Sequence, residues 1–549
     1  MVYRDRCFTL WRLLIATGTN IVKSNSADYL VNNAKIYTVD HAFLVVESMA
    51  VQDGRILAIG PSGELAKRWR PRRVVDAKGL FIYPGFMDPH SHLLSYGQTL
   101  RSADLTRSKS WEEVIERLRS HQQQNPSDWI QGRGWDQNEW QIPEFPTRKL
   151  LDEAFPDIPA YLVRIDGHAA VANAAALQLA GIDEHIRIEG GECVIADGHL
   201  TGVLIDNAIE LVKKVIPRPD RRSQVQALLD AQENCFAVGL TSVCDGGIDR
   251  DDALLMDSMH RDGRLKLRIY GMLNPTGANF EYFVSKGVHA TERLTIRAIK
   301  TYADGALGSR GALLLEPYED NPGNQGLQLE TSERINGICK RAAESGYQVC
   351  THCIGDAAVR LILGIYSKYL ESGNDLRWRI EHAQIVESGD LSRFRELGIV
   401  PSVQTTHATS DMRWAALRLG SRIKRAYRYQ ELLQQNGWLP NGSDFPIEDI
   451  NPILGFYAGV ARKDQNGFPE NGFQMENALT REQALRAMTI WAARANFEED
   501  SRGSIEVGKW ADFVILDRDL MHVPEREISA TRVCATFIAG ERVYERGLL

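Results

Sequence analysis

Eight short apolar runs recur through the middle of this chain, and five of them end on or lead straight into a histidine, a lysine or an aspartate. The runs are Phe81–Met87, Leu240–Cys244, Leu267–Met272, Ile296–Tyr302, Gln348–His352, Trp378–His382, Ile399–Val403 and Leu439–Asp444. Helical periodicity fills most of the intervals, as in Ser332–Ser345 and Ala357–Glu371. Strand alternating with helix is the pattern of a parallel sheet closed by right-handed crossovers. Eight such strands are what a closed barrel requires. The expected fold class is therefore α/β, a TIM-like (β/α)8 barrel.

The interval between the first and second runs is about 150 residues, far beyond an ordinary connection. It must hold a large insertion after the first strand, over about residues 95–222, with Ser223–Ala237 as the helix that re-enters the barrel. The chain ends read differently. Tyr29–Val31, Ile36–Thr38, Ser48–Val51, Ile56–Ile59 and Val74–Val75 are strand-like and punctuated by Gly54, Gly60 and Gly63. Ile505, Ala511–Leu516 and Thr536–Ile538 repeat the pattern. Residues 28–83 and 500–549 are thus expected to form one small β-sandwich, around a barrel of residues 84–499.

Residues 1–27 are expected to be a leader or an unstructured segment. Arg4 and Arg6 precede a mostly apolar Cys7–Ala16, which resembles a weak signal peptide, but Arg12 interrupts it and it is too short to span a bilayer. A cytoplasmic location is expected, with the periplasm or secretion as the alternative. No segment reaches membrane-spanning length. Lys and Arg total 64 against 72 Asp and Glu, a net charge of −8 with no basic patch, so nucleic acid is not an expected partner. The eight cysteines are sparse and lie in apolar contexts, which fits reduced thiols. Only Cys350 and Cys353 form a C-x-x-C, readable as a redox or zinc pair, although the strand explains the segment better.

The polar residues at the strand ends carry the chemistry. In Pro84-Gly85-Phe86-Met87-Asp88-Pro89-His90-Ser91-His92, residues i and i+2 of an extended chain point to one side. His90 and His92 can therefore share one cation; the alternative is two surface histidines in a loop. Lys300 closes a barrel strand, where an ammonium without a partner is costly. Nearby cations favour its neutral amine, which can add carbon dioxide, and the carbamate's two oxygens can bridge two metals. The alternative pairs Lys300 with Asp304 or Asp245. His352 and His382 end successive strands and point to the same rim. Asp444, after the eighth run, can bind a metal and take a proton from water, or cap a helix.

Taken together these residues resemble the amidohydrolase superfamily, in the branch of N-substituted formamide deformylase and its YtcJ-like relatives. The resemblance runs from about Asp28 onward. It rests on Gly85-Phe86-Met87-Asp88-Pro89-His90-Ser91-His92, Lys300-Thr301-Tyr302-Ala303-Asp304-Gly305, His352-Cys353-Ile354-Gly355-Asp356, Ile380-Glu381-His382-Ala383-Gln384, Gly442-Ser443-Asp444-Phe445-Pro446 and Gly503–Asp512. It implies that His90 and His92 hold one metal and His352 and His382 a second. Carboxylated Lys300 bridges them, and Asp444 is both ligand and general base. Two divalent ions, best suited to zinc, would activate a water against a polarised carbonyl. The insertion would cap the barrel mouth, and Trp135, His168, Arg310 and His407 are the candidate substrate contacts. Asp206 stands where the branch often has Glu.

The expected function is hydrolysis of a non-peptide C–N bond in a small molecule: an amide, an N-substituted formamide or a cyclic amide. The ligands do not separate this from ester or lactone hydrolysis, because both reactions attack a polarised carbonyl. A non-catalytic assembly protein on the same scaffold is the alternative from another class. A homodimer fits the superfamily.

Overall fold

In a computed structural model that describes residues 25–217 and 219–547, seven strands run parallel side by side. In order they are Phe86–Ser91, Leu240–Ile248, Arg268–Leu273, Leu294–Tyr302, Gln348–Cys353, Arg379–His382 and Val400–Ser402. Helices on the outside bury the second face of this sheet, which is why its strands read as nearly continuous apolar runs. The expected Cys7–Ala16 stretch lies outside the described residues.

Two expected strands differ. The eighth, Leu439–Asp444, is not a regular strand, yet it occupies the closing position. On one side Val403 donates to the Pro440 carbonyl at 3.1 Å and Gly442 donates to Val403 at 2.9 Å. On the other, Asp444 donates to His90 at 2.8 Å and His92 donates to Phe445 at 2.9 Å. Pro440 has no N–H for a ladder, and Asp444 has a left-handed φ of 63°, so the segment bonds both neighbours without strand geometry. A side chain at Gly442 would meet Asp88 Oδ1 at 2.6 Å, which makes glycine necessary there.

The first expected strand, Phe81–Met87, is two strands broken at Gly85. Phe81–Pro84 pairs with Phe513–Leu516 in a different sheet, while Phe86–Ser91 enters the barrel. A Cβ on Gly85 would sit 2.3 Å from Thr241 Oγ1, so the chain crosses between sheets where only glycine fits.

That second sheet has six strands, Glu541–Glu545, Val533–Ile538, Phe513–Leu516, Phe81–Pro84, Lys35–Tyr37 and Val45–Val46, drawn from both ends of the chain. A four-stranded sheet from Arg55–Gly60, Ser48–Gln52, Ser26–Asn32 and Arg70–Asp76 faces it. Val31, Met49 and Val51 pack with Ile82, Phe513 and Phe537 in their shared core. Ile505, read as a strand residue, is instead a buried loop residue in that core, its N–H donating to Thr38 at 2.8 Å. A buried Arg268–Asp512 pair, at 2.7 and 3.0 Å, ties the barrel to the sandwich.

The insertion builds its own six-stranded sheet from Ala103–Asp104, Ile130–Trp135, Ala160–Arg164, Ala169–Ala172, His199–Asp206 and Gly191–Ala196. Apolar clusters cover both faces, one around Trp111, Trp135 and Leu162 and the other around Trp129, Tyr161 and Leu204. The C-x-x-C is not a pair. Cys350 belongs to the cluster inside the barrel and Cys353 to the core outside it.

Candidate metal centre

Cys244, Tyr270, Met272, Ala298 and Cys350 fill the barrel interior. Lys300 and His352 lie two residues beyond Ala298 and Cys350, so the strand period points them inward one layer closer to the C-terminal rim. His382 arrives differently. Arg379 and Glu381 already face inward, where Arg379 donates to the Pro89 carbonyl at 3.0 Å and Glu381 contacts His90. Regular alternation would send His382 outward. Its left-handed φ of 69° turns it back to the rim, a conformation that non-glycine residues adopt uncommonly. Asp444 reaches the rim through the same device.

The result is a continuous cluster. Asp444 Oδ1 lies 3.4 Å from His90 Nε2 and 3.3 Å from His92 Nε2. Lys300 Nζ lies 3.2 Å from His90 Nε2. The His382 ring stands 4.9 Å from that of His90 and 4.5 Å from that of His352. One ligand atom each from His90, His382 and Asp444 lie within 4.8 Å of one another. His352 Nε2, His382 Nδ1 and Asp444 Oδ1 are buried and have no hydrogen-bond partner among the described residues. Buried polar atoms are rarely left so. Imidazole nitrogens and a carboxylate oxygen, unsatisfied and converging, are the donor set a divalent cation takes.

The charge states fit that role. Burial pushes His352 and His382 well below the ordinary imidazole range, helped by the neighbouring His168 and His352 respectively, so both are neutral. Burial alone would raise Asp444, but His90 and His407 hold it well below the carboxylate range and keep it ionised.

Three supporting residues were not assigned roles from the sequence. Glu381 Oε2 sits 2.5 Å from His90 Nδ1 and fixes the ring so that Nε2 faces the cluster. Its sequence neighbour His382 masked it, because alternation puts adjacent residues on opposite faces. Asp88 accepts from the His90 N–H at 3.0 Å and the Ser443 hydroxyl at 2.6 Å, joining the first strand to the Asp444 segment. A carboxylate two residues before His90, inside an apolar strand, was the available signal. Glu448 Oε1 is 3.2 Å from His407 Nδ1. His92 Nδ1 donates to the Gly246 carbonyl at 2.7 Å, a backbone contact that no sequence pattern announces.

The four candidate substrate contacts divide. His407 Nε2 lies 3.4 Å from Asp444 Oδ2. The His168 ring is 5.0 Å from that of His352, and its Nδ1 is held by Asp206 Oδ1 at 2.6 Å. Asp206 is packed against the loop after the Lys300 strand, where a Cβ on Gly305 or Gly311 would come within 2.6 and 2.5 Å of its carboxylate. Trp135 is elsewhere: it is fully buried in the insertion's core, with Nε1 donating to the Leu162 carbonyl at 3.0 Å. Arg310 is bound by Asp320 at 2.9 Å, in a cluster shared with Arg418, and contacts none of the rim residues among those described.

Comparison with known proteins gives a consistent result. Residues 73–544 match the model of the amidohydrolase family. The chain is 33% identical to protein LONG AFTER FAR-RED 3 of Arabidopsis thaliana, over 94% of this chain and 92% of that one. It is 27% identical to N-substituted formamide deformylase of Arthrobacter pascens, over 94% and 98%. Among solved structures, an uncharacterized metal-dependent hydrolase from Pyrococcus horikoshii OT3 superimposes with a TM-score of 0.74 at 30% identity, over 90% of this chain and 99% of that one.

Proposed function

The chain belongs to the amidohydrolase family, and from that premise we propose that it is a metal-dependent hydrolase of a non-peptide C–N bond, acting on an amide, an N-substituted formamide or a cyclic amide. The observation that carries the reading is the grouping of one ligand atom each from His90, His382 and Asp444 within 4.8 Å of one another, with buried nitrogens of His352 and His382 left without a hydrogen-bond partner among the described residues. Similarity to the deformylase and to the Pyrococcus metal-dependent hydrolase supports it.

In this reading His90, His92 and Asp444 would hold one divalent cation and His352 and His382 a second, zinc being the ion these donors suit best. Lys300 Nζ, as the neutral amine, would add carbon dioxide with loss of a proton, and the resulting carbamate would supply a further anionic ligand at the site. Bound cations of this kind lower the pKa of a water and polarise a carbonyl.

The protein's own groups do the rest. Glu381 and the Gly246 carbonyl fix the His90 and His92 rings with Nε2 toward the site. Asp444 Oδ1 faces those nitrogens, which leaves Oδ2, beside His407, to take the proton of the attacking water. The same carboxyl then protonates the departing nitrogen as the C–N bond breaks. His168, braced by Asp206, borders the substrate end of the site.

The test is amine release from a panel of N-formyl and N-acyl amines by metal-loaded protein. Wild-type turnover is expected, with kcat lowered about 10²- to 10⁴-fold in Asp444→Asn that retains its metal. Normal turnover by that variant contradicts the assigned base. Turnover of esters alone contradicts the C–N assignment.

A further inference from the structure

Arg133 makes no ion pair among the described residues. It lies on the insertion strand Ile130–Trp135, on the face opposite the Trp111–Trp135 core. Among the described residues its guanidinium donates one hydrogen bond, from Nη2 to the Ile165 carbonyl at 3.1 Å. Among the described residues its Nε is buried with no hydrogen-bond partner, and no carboxylate forms an ion pair with it, Asp166 acting on it only from further away. The neighbouring arginine is the opposite case: Arg164 is fully engaged by Asp136, Asp166 and Gln137. A half-buried guanidinium loses hydration that one carbonyl does not replace.

Its position borders the metal rim. Both terminal nitrogens of Arg133 lie beside Gly167, 3.6 and 3.7 Å from where a Cβ would stand. Gly167 immediately precedes His168, whose ring is 5.0 Å from His352. Burial works against the charge on Arg133, and the acidic groups that act to keep it are Asp166 and Asp444, the latter a rim residue. Tyr161 lies on the same face, since Arg133 pairs with Val163 two residues along that strand. Its hydroxyl is also buried without a hydrogen-bond partner among the described residues. Of these two donors it is Arg133, paired with Val163 toward the end of the strand, that stands next to the turn that carries His168.

We propose that Arg133 binds a carboxylate at the far end of the substrate, so that the molecules hydrolysed are N-acyl or N-formyl amines bearing an acid group. The inference rests on the C–N hydrolase reading for its reaction, but not for its binding claim. A guanidinium meets a carboxylate with two parallel hydrogen bonds, and a single positive charge balances a monoanion.

The test uses metal-loaded full-length protein and N-formyl ω-amino acids, from N-formylglycine to N-formyl-6-aminohexanoate, each against its neutral primary amide. Binding is read by calorimetry and hydrolysis by amine release, in wild type, Arg133→Gln and Arg133→Lys, with melting curves to confirm folding. One chain length is expected to bind the acid about ten- to a hundredfold tighter than the amide in wild type. That preference collapses toward one in Arg133→Gln and is partly kept in Arg133→Lys. Acid and amide binding equally at every length, or a preference that survives in folded Arg133→Gln, overturns the proposal. Selective binding without hydrolysis upholds Arg133 while contradicting the C–N reaction, so the two failures are separable.

Discussion

Glu381 Oε2 lies 2.5 Å from His90 Nδ1, with both side chains buried. Burial alone would raise the glutamate's pKa, but His90 and Arg379 bring it down to about 2, so it remains an anion. The ring it holds presents Nε2 toward Asp444 and Lys300. Removing such a partner of a ligating histidine typically costs ten- to a hundredfold in metal affinity. Glu381→Gln is therefore expected to weaken divalent metal binding by about that factor. Metal-buffered titration checks it, and an unchanged affinity would mean that backbone packing orients His90 unaided.

The brace on His168 makes a related prediction at the substrate side. Asp206 is sealed against Gly305 and Gly311 and bonds His168 Nδ1. Asp206→Asn should lower kcat/KM by about tenfold, in the range of a lost charged hydrogen bond, while metal content stays at the wild-type value. Glutamate has no room between the two glycines, so Asp206→Glu should not rescue it. Steady-state kinetics with metal analysis on the same samples decides this.

Trp135 should behave as a core residue. Trp135→Ala is expected to destabilise the insertion by about 3–5 kcal/mol, seen in chemical denaturation followed by tryptophan fluorescence. Trp135→Phe should recover most of the loss, and its KM should stay near wild type. A large KM change in a stable Trp135→Phe would return this residue to the substrate site.

Trp135 also shows where sequence reasoning stops. Trp135 was a candidate substrate contact in the insertion capping the barrel mouth, but Gly134 permits a bulge that turns the indole into the insertion's own core. The barrel was legible because five of the eight apolar runs carry a histidine, lysine or aspartate terminus in sequence, and strand periodicity then aims Lys300 and His352. Glu381 was not legible, since a period of two cannot place both it and His382 inside. Only the left-handed φ at His382 allows that, and backbone dihedrals leave no mark in composition. The same conformation at Asp444 explains why the eighth strand was read as regular. That Arg133 has no ion-pair partner among the described residues is a fact about three-dimensional neighbours.

A pH dependence of stability follows from His260, outside the site. Burial, partly offset by a hydrogen bond to the Leu267 carbonyl at 2.9 Å, lowers its pKa from 6.5 to about 4. The unfolded chain then binds more protons than the folded one between those values, so stability is full above pH 6.5 and falls as the pH drops toward 4. His260→Gln should flatten that part of the profile. Melting temperature from pH 4 to pH 7 checks it, an unchanged slope in the variant being the contrary result.

The central claim is a two-metal site bridged through Lys300, and metal content tests it most directly. Wild type and Lys300→Ala would be purified with bicarbonate and analysed for divalent metal per chain. The account predicts close to two ions per wild-type chain and a sharp fall in the variant, in line with the bridging role. One ion per chain, unaffected by Lys300→Ala, would contradict it and give Lys300 a structural role beside a mononuclear centre.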